Sequence, residues 1–415
     1  MRLTLKDIRR IIFLLILFVL VGYSGYSLGK KNARLEINNF RPSIKLDRTV
    51  PQTKSGKVEF TQFWEVWDKV ENSYYDKNKV DYQKMVYGAI SGMVSALGDP
   101  YTVFLPPVEN GDAKADLRGD FEGVGIQIGY DKEQRVSVIA PISGTPAEAA
   151  GLKAGDVILK IVDEEAKVDK STEGLSLPEA VKIIRGPKGT LVKLTIGREG
   201  TDKPFEVNLK RATIVVKSVE LKIENNAAII KLSRFGERTY EEWQEAISTI
   251  INEKNKNKNF KGIVLDMRNN PGGFLQGAVY IASEFISSGT VVQQDKGPGG
   301  IETYTVNRKG DLLKDPLVVL INEGSASASE IVAGALQDWK RAKLVGIKSF
   351  GKGTVQEAQD LDNGAGLHVT IARWLTPTGK SIDKEGIKPD VEIKMDEKDA
   401  TKDPQLQEAL RILTQ

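Results

Sequence analysis

The sequence predicts a multidomain α/β protein with an N-terminal membrane helix, a helical segment, a β-rich domain and an α/β core. Three observations predict this organisation. A charge-free run stands near the N-terminus, glycine turns and short alternating strands fill residues 119–212, and strand and helix patterns alternate from residue 213. The 415 residues, of which 40% are hydrophobic, give room for two or three domains.

Composition and charge exclude several classes of function. The formal net charge of +3 is spread along the chain, and no basic block or basic–aromatic pattern indicates a nucleic-acid partner. The chain has no cysteine, which removes thiol nucleophiles, cysteine-ligated zinc and disulfides, and it has a single histidine, His368. We expect neither a metal site nor a cofactor.

Residues 11–29 contain no charged side chain and follow a short segment, residues 1–10, with four basic residues. As a helix they would extend ~28 Å, close to the roughly 30 Å of a hydrocarbon core. The sequence thus predicts a membrane anchor. Small residues near its end leave a cleaved signal peptide as the alternative. The polar residues 30–57 lack a sustained hydrophobic period and are expected to be a linker.

Residues 58–112 are predicted to be a helical segment, and residues 113–212 a separate β-rich domain. In the first, aromatic and apolar residues recur at helical spacing, which is typical of a packing face, and the sequence from Gly98 to Tyr101 ends the second helical pattern. In the second, the glycine turn at residues 123–126 leads into an alternating strand, followed by further short strands and two helices.

Residues 213–395 are predicted to form an α/β core. Segments rich in β-branched and aliphatic residues alternate with segments of helical period, as in a sheet covered by helices. The predicted strands include residues 227–232, 262–266, 317–321 and 343–347. Residues 396–415 are expected to form a short C-terminal helix, with Asp403 as its cap and Pro404 in its first turn.

The stretch from residue 317 to residue 356 carries the strongest candidate for chemistry. Its apolar strand runs into a small-residue turn and then a helical pattern, so Ser327 stands at a strand-to-helix elbow that exposes a hydroxyl. A second strand leads to Lys352, which lies between two glycines. Burial can lower a lysine pKa by up to about 3–5 units from about 10.4, which is enough to yield a neutral base. His368, in a strand pattern, is the alternative base for the serine.

The residues alone leave other interpretations of these loops open. Residues 346–352 have the spacing of a phosphate-binding loop, although Gly353 replaces the serine or threonine that would bind magnesium. Serine-rich turns and glycine–lysine loops also occur as ordinary surface loops. A third loop, residues 266–273, leaves a strand end and enters a helix, where free N–H groups either stabilise an oxyanion or only cap the helix.

Several motifs together resemble those of the carboxy-terminal processing peptidases, also called tail-specific proteases. They are residues 265–273, 325–330, 337–338, 350–356 and 375–380. The likeness covers about residues 60–395 and implies a serine endopeptidase with a Ser-Lys dyad extended by a glutamine. Residue by residue, it implies these roles: nucleophile, Ser327; general base, Lys352; residue orienting the lysine, Gln356; oxyanion-binding backbone, Gly272 or Gly273 together with Ala328; structural neighbours, Ser325 and Ser329.

The order of elements in residues 113–212 resembles a PDZ domain, whose carboxylate-binding loop is matched by Gly123, Val124, Gly125 and Ile126. Backbone N–H groups at such a turn can hold a terminal carboxylate, and the next strand can accept a peptide as an added strand. The expected partners are therefore proteins or peptides with flexible, apolar C-termini. A β-rich spacer that binds nothing is the alternative.

The complete prediction is a membrane-anchored serine endopeptidase with a PDZ-like domain and an α/β protease core. The resemblance places the catalytic part outside the cytoplasm, at a cell surface or in a periplasm, and residues 1–10 inside as a cytoplasmic tail. A cleaved, secreted form is the alternative location. A catalytically silent peptide receptor is the competing function, and the sequence leaves a homo-oligomer open.

Overall fold

The computed structural model describes residues 60–142, 144–395 and 402–415, residues 16, 18, 19, 22 and 23, and the backbone of residues 33–38 and 41–46. The chain divides into two compact units, Met1–Ala89 and Ile90–Gln415. The predicted tail and most of the predicted anchor at residues 11–29 lie outside the described residues. No helix among the described residues has the length and apolar character needed to cross a membrane. The anchor therefore stays a prediction.

The first unit contains a pair of strands and helical segments. Strands β1 (Ala33–Asn38) and β2 (Arg41–Leu46) run antiparallel, within the segment that the sequence analysis assigned to a linker. Apolar residues alternate at positions 35, 37, 44 and 46, a period-two pattern that the polar composition obscured. Helix α1 (Thr61–Ser73) carries the aromatic stripe, and Trp67 stacks on Tyr82 with ring centres 6.2 Å apart. The aromatic rings of the stripe contact one another and Tyr82, but no residue of helix α1 is buried, so its role as a packing face stays a prediction.

The second unit begins inside helix α2 (Tyr82–Ser95) and includes the β-rich domain. Strand β3 (Val103–Leu105) and helix α3 (Pro107–Arg118) lead into that domain. Its elements are β4 (Asp120–Gly123), β5 (Ile126–Tyr130), β6 (Val136–Pro141), α4 (Pro146–Ala149), β7 (Val157–Asp163), β8 (Val168–Ser171), α5 (Leu177–Ile184), β9 (Leu191–Gly197), β10 (Phe205–Lys210) and β11 (Ala212–Val215).

The main sheet of this domain has the order β10-β9-β7-β6-β5, with β8 paired to β7. Strand β5 therefore lies at its edge. Strand β9 buries Val192, Leu194 and Ile196, the alternate positions that face the domain core. Strand β4 pairs with β11, and Gly123 lies directly opposite Ala212, so the chain enters and leaves the domain side by side.

The α/β core is built on a six-stranded sheet. Its elements are β12 (Val219–Glu224), β13 (Ala227–Leu232), α6 (Thr239–Lys256), β14 (Gly262–Asp266), α7 (Leu275–Ala282), β17 (Leu317–Ile321), α8 (Ala328–Asp338), β18 (Lys343–Gly346), β21 (Val391–Glu392) and the C-terminal helix α9 (Pro404–Ile412). The strand order is β12-β13-β14-β17-β18-β21, and all neighbours are parallel except β12 and β13. The predicted alternation of strands and helices is confirmed for this core.

Helices cover both faces of the core sheet, which is why its central strands are apolar throughout. Helix α6 buries Trp243, Ile247 and Ile250, spaced as one helical face, against the same side as α7 and α8. Helix α9 covers the other side, where Ala409 packs with residues such as Val318. The predicted C-terminal helix and its Asp403 cap are confirmed, since the Asp403 carboxylate accepts from the backbone nitrogen of Leu406.

A second sheet, which the sequence analysis did not identify, lies beside the core. It has the order β16-β15-β20-β19, made of β15 (Thr290–Asp295), β16 (Ile301–Thr305), β19 (Thr354–Asp360) and β20 (Gly366–Leu375). Strand β3 joins it by pairing with β20. The chain segment around Lys352 passes directly into this sheet.

Candidate active site

The candidate residues lie at the carboxyl ends of three neighbouring parallel strands. Strand β14 leads into the loop that contains Gly272, β17 into the turn that contains Ser327, and β18 into the loop that contains Lys352. Because parallel strands end at the same edge of a sheet, the three loops meet there. This edge is the usual ligand-binding position of an open α/β sheet.

Ser327 begins helix α8 in a strained backbone conformation. Its φ of 55° and ψ of −115° are unusual for a residue with a side chain, and its surface is partly exposed. The two neighbouring serines are buried and fasten the turn to the loop after β14. The Ser325 hydroxyl donates to the Met267 carbonyl over 2.8 Å, and the Ser329 hydroxyl to the Asn270 carbonyl over 3.0 Å. These bonds hold the turn that carries Ser327 against the loop after β14.

The buried carboxylate of Glu330 connects the serine elbow to the lysine loop. Its Oε2 accepts the backbone N–H groups of Ser327 at 2.8 Å and Lys352 at 3.0 Å. Its Oε1 accepts the Ser349 hydroxyl at 2.6 Å and the Gly351 N–H at 2.7 Å. Burial raises the pKa of the Glu330 carboxyl, while these four donors oppose that effect. Glu330 has no predicted role in the sequence, although its place three residues after a helix cap is a signal for such a contact.

The side chain of Lys352 extends into a partly buried site. Its Nζ lies 5.1 Å from the ring centre of Tyr101, and its backbone carbonyl accepts the indole N–H of Trp374 at 2.8 Å. Burial lowers the pKa of Lys352, while the carboxylates of Glu330 and Asp99 partly oppose that effect. Among the residues that the structure describes, no hydrogen bond joins the Ser327 hydroxyl to the lysine.

Gln356 and His368 lie on the adjacent strands β19 and β20. The Gln356 amide nitrogen donates to the hydroxyls of Thr354 at 2.8 Å and Thr370 at 3.1 Å. Burial, and then repulsion from charged Lys352, lower the pKa of His368. Within the described part of the chain, neither Gln356 nor His368 hydrogen-bonds to Ser327.

The glycine loop after β14 packs directly against the serine elbow. Gly272 has a φ of 101°, and a Cβ there would lie 2.8 Å from the Cβ of Ser327 and 3.0 Å from the nitrogen of Ala328. The N–H of Gly272 already donates to the side-chain oxygen of Asn270 at 2.9 Å. By contrast, the N–H groups of Gly273 and Ala328 form no hydrogen bond within the described residues. Of the two glycines left open by the sequence, Gly273 is thus the one with a free donor.

Arg268, in the same glycine loop, attaches that loop to the C-terminal helix. Its guanidinium donates to Asp266 Oδ2 at 2.6 Å and to Asp403 Oδ2 at 2.8 Å. The side chain is 14% exposed, so these are partly buried, charge-assisted bonds. Sequence reasoning missed this contact because Arg268 and Asp403 are far apart in the chain.

The glycine turn of the β-rich domain, residues 123–126, precedes the edge strand β5. Gly125 has a φ of 79°, and its carbonyl accepts the N–H of Ile142 at 2.9 Å and the Thr145 hydroxyl at 3.2 Å. A Cβ at position 125 would lie 2.3 Å from the Cβ of Thr145, so the turn requires glycine. Within the described part of the chain, strand β5 pairs only with β6, so its other edge can accept an added strand.

Comparison with known proteins gives three family matches along the chain. Residues 226–393 match peptidase family S41, residues 113–197 match the PDZ domain, and residues 19–107 match the N-terminal domain of the activating protease CtpB. The second match confirms the PDZ-like prediction for this domain.

Curated relatives and a solved structure match over most of the chain. The carboxy-terminal processing protease CtpA of Bacillus subtilis is 36% identical over 82% of this chain and 70% of its own length. The carboxy-terminal-processing protease of Bartonella bacilliformis is 39% identical over 80% of this chain and 74% of its own length. A crystal structure from Bacteroides fragilis, named for the S41 proteases, covers 89% of this chain and 99% of its own, with 16% identity and a TM-score of 0.57, a likeness of fold.

Proposed function

The chain belongs to peptidase family S41 and is a serine protease of the carboxy-terminal processing type, and we propose that Ser327 and Lys352 perform its chemistry. The observation that carries this proposal is the shared attachment of both residues to Glu330. One buried carboxylate oxygen sets the distance between the two backbone segments. If the serine turn and the lysine loop had unrelated roles, there would be no reason for one carboxylate to bind both of them.

The chemistry begins with a neutral Lys352. Burial lowers the pKa of this lysine, so a larger fraction of it is unprotonated near neutral pH than for a lysine in water. The neutral amine takes the proton of the Ser327 hydroxyl as the serine oxygen attacks the substrate carbonyl carbon. The resulting ammonium then gives that proton to the leaving amine. In the second half of the reaction, the neutral lysine takes a proton from the water molecule that attacks the acyl-enzyme, and the ammonium returns a proton to the serine oxygen.

The negative oxygen formed by this attack needs nearby hydrogen-bond donors. The free N–H groups of Gly273 and Ala328 lie on the two loops that meet at Ser327. Both belong to the backbone, so they are held in position before the reaction and need no reorganisation during it. We assign the oxyanion hole to these two groups.

Gln356 orients the lysine in this proposal. Its amide nitrogen is occupied by the hydroxyls of Thr354 and Thr370, which fixes the plane of the amide. The amide oxygen is then the atom that accepts a hydrogen bond from the lysine. This role involves no proton transfer, so loss of Gln356 should reduce the rate of hydrolysis less than loss of Ser327 or Lys352.

The PDZ domain selects substrates by their C-terminal tails. The turn at residues 123–126 holds the terminal carboxylate, and the tail adds as a strand to the open edge of β5. The half-buried Ile126 and Ile128 favour apolar side chains in the tail. The chain upstream of the bound tail then reaches Ser327.

We further propose that residues 11–29 anchor the protein in a membrane with its catalytic part outside the cytoplasm. The length and charge-free character of this segment support that placement. Protease added to intact cells should degrade the catalytic part, whereas an epitope tag before residue 1 should survive. Protection of the catalytic part would contradict the proposed orientation.

The test of the proposed chemistry uses a quenched-fluorescence peptide with a free, apolar C-terminus. The full chain should cleave it, and a fluorophosphonate should modify Ser327, as mapped by mass spectrometry of the digested protein. Ser327→Ala should bind the peptide without cleaving it. Cleavage by that variant at the wild-type rate would overturn the assignment, and binding without cleavage by the wild type would favour the silent peptide receptor.

A further inference from the structure

Tyr101 places an aromatic ring over the lysine of the candidate site. The Nζ of Lys352 lies 5.1 Å from the centre of this ring, within the range of an attraction between a cation and an aromatic face. The sequence predicts only that the residues from Gly98 to Tyr101 end a helical pattern. Their place against the lysine indicates a further role.

The turn that carries Tyr101 is fastened to the second sheet. Asp99 Oδ1 accepts the N–H of Tyr101 at 3.0 Å, and Asp99 Oδ2 accepts the Thr102 hydroxyl at 2.6 Å. The Thr102 oxygen in turn accepts the N–H of Thr370, on β20, at 3.0 Å. The next residue, Val103, pairs with His368 on the same strand. The backbone that carries the ring is therefore fastened to strand β20 on both sides of the turn's hydroxyl contact.

We propose that Tyr101 is a positioning residue for Lys352, holding the protonated lysine within the site between the two proton transfers of the reaction. This inference rests on the proposed function, in which Lys352 receives the serine proton. An aromatic face attracts the ammonium but not the neutral amine. The ring thus stabilises the short-lived charged form at the point where burial alone would disfavour it.

Several ionisable groups surround the lysine, and each of them also affects its pKa beside the aromatic ring. Glu330 on α8 and Asp99 on the turn attract the ammonium, whereas His368 on β20 is repelled by it when charged. Burial raises the pKa of the Tyr101 hydroxyl, and the carboxylates of Asp383, Glu330 and Asp99 add to that effect. These effects favour the uncharged phenol, so the ring presents a neutral face to the lysine.

The test measures the pKa of Lys352 directly and without turnover. In a Ser327→Ala background, the rate at which acetic anhydride acetylates Lys352 is measured against pH by mass spectrometry of the lysine-containing peptide. Tyr101→Leu should lower the lysine pKa by about 0.5–1.5 pH units, because it removes the stabilisation of the charged form. Tyr101→Phe, which retains the aromatic face, should restore most of that shift. Tyr304→Leu, on a strand that pairs with neither β19 nor β20, is the matched control.

The second measurement uses enzyme with Ser327 intact. In Tyr101→Leu, the rising limb of kcat/KM against pH should move to lower pH by the same amount as the lysine pKa measured by acetylation. The decrease in kcat should be larger than the change in KM. Asp99→Asn, which removes one attracting charge, gives a second variant whose lysine pKa should also fall. Thermal unfolding separates these effects from loss of fold. Equal lysine pKa values in Tyr101→Leu, Tyr101→Phe and wild type would overturn the inference. Full turnover by Lys352→Ala would instead overturn the proposed dyad, so the two failures are distinguishable.

Discussion

The backbone nitrogens of Ser327 and Lys352 donate to the same atom, Oε2 of Glu330, over 2.8 and 3.0 Å. Residues 25 positions apart are thereby held by one buried carboxylate. Hydrogen bonds to a charged group contribute about 1.5–3 kcal/mol each, so this arrangement strongly restricts the distance between the two loops. The distance between the two loops thus depends on a residue outside the proposed Ser-Lys dyad.

The first prediction concerns this carboxylate. Glu330→Gln should lower kcat/KM at least about tenfold, because the amide N–H₂ would face backbone N–H donors that then lack an acceptor. Peptide hydrolysis and thermal unfolding are measured together. Glu323→Gln, at an exposed position of the same turn, should behave like the wild type. Unchanged hydrolysis by Glu330→Gln would show that the shared acceptor is unimportant.

The second prediction concerns the dyad. Ser327→Ala and Lys352→Ala should each abolish peptide hydrolysis without unfolding the protein, and the double variant should be no worse than either single one. Lys352→Arg should not restore activity, because a guanidinium stays protonated and cannot act as a base. Gln356→Ala should be milder than either. Single-turnover kinetics with enzyme in excess would detect residual hydrolysis, and near-wild-type activity of Lys352→Ala would exclude the lysine as base.

The third prediction concerns pH. Burial lowers the pKa of Lys352, and only its neutral form accepts the serine proton. Activity should therefore be low below that folded pKa and rise with pH through it, at lower pH than for an ordinary lysine. His368→Ala should keep this rising limb. If the limb disappeared in the His368 variant, the histidine base would be favoured instead.

The fourth prediction concerns the glycine loop. Gly272→Ala should abolish most activity, because its Cβ would lie 2.8 Å from the Cβ of Ser327 and would displace the serine elbow. Gly300→Ala is the matched control, since Gly300 also has a positive φ, 80°, but open space around it. Both variants carry backbone strain of roughly 1–2 kcal/mol, visible in thermal unfolding. If Gly272→Ala and Gly300→Ala lost the same amount of activity, the loss would come from backbone strain and not from displacement of Ser327.

The fifth prediction concerns tail capture. A peptide with a free C-terminal carboxylate should bind about tenfold to a hundredfold more tightly than its C-terminal amide, because a charge-assisted hydrogen bond contributes about 1.5–3 kcal/mol. Gly125→Val should remove this preference, since its side chain would collide with Thr145. Gly200→Ala, in open space of the same domain, should retain it. Equal cleavage of acid and amide by the wild type would leave the domain as a spacer or a gate.

Local patterns in the sequence predicted the parts of the site that depend on neighbours along the chain. The elbow at Ser327, the glycines beside Lys352 and the strand ends that deliver them follow from apolar runs and turn residues. The Glu330 carboxylate, by contrast, acquires its role only when two separate loops fold onto it. The same holds for Tyr101 over Lys352 and for Arg268 against Asp403. Hydrophobic periodicity in a sequence predicts local helices and strands, but not which distant segments come into contact.

The entry and exit of the PDZ domain have a consequence for how such proteases diversify. Gly123 and Ala212 lie opposite each other in the antiparallel pair of β4 and β11. The domain is therefore inserted between two chain positions that are neighbours in space. Insertions with neighbouring ends can be replaced with little disturbance to the rest of the fold. In the proposed function, exchange of this domain would therefore change which substrate tails are bound while the catalytic core stays the same.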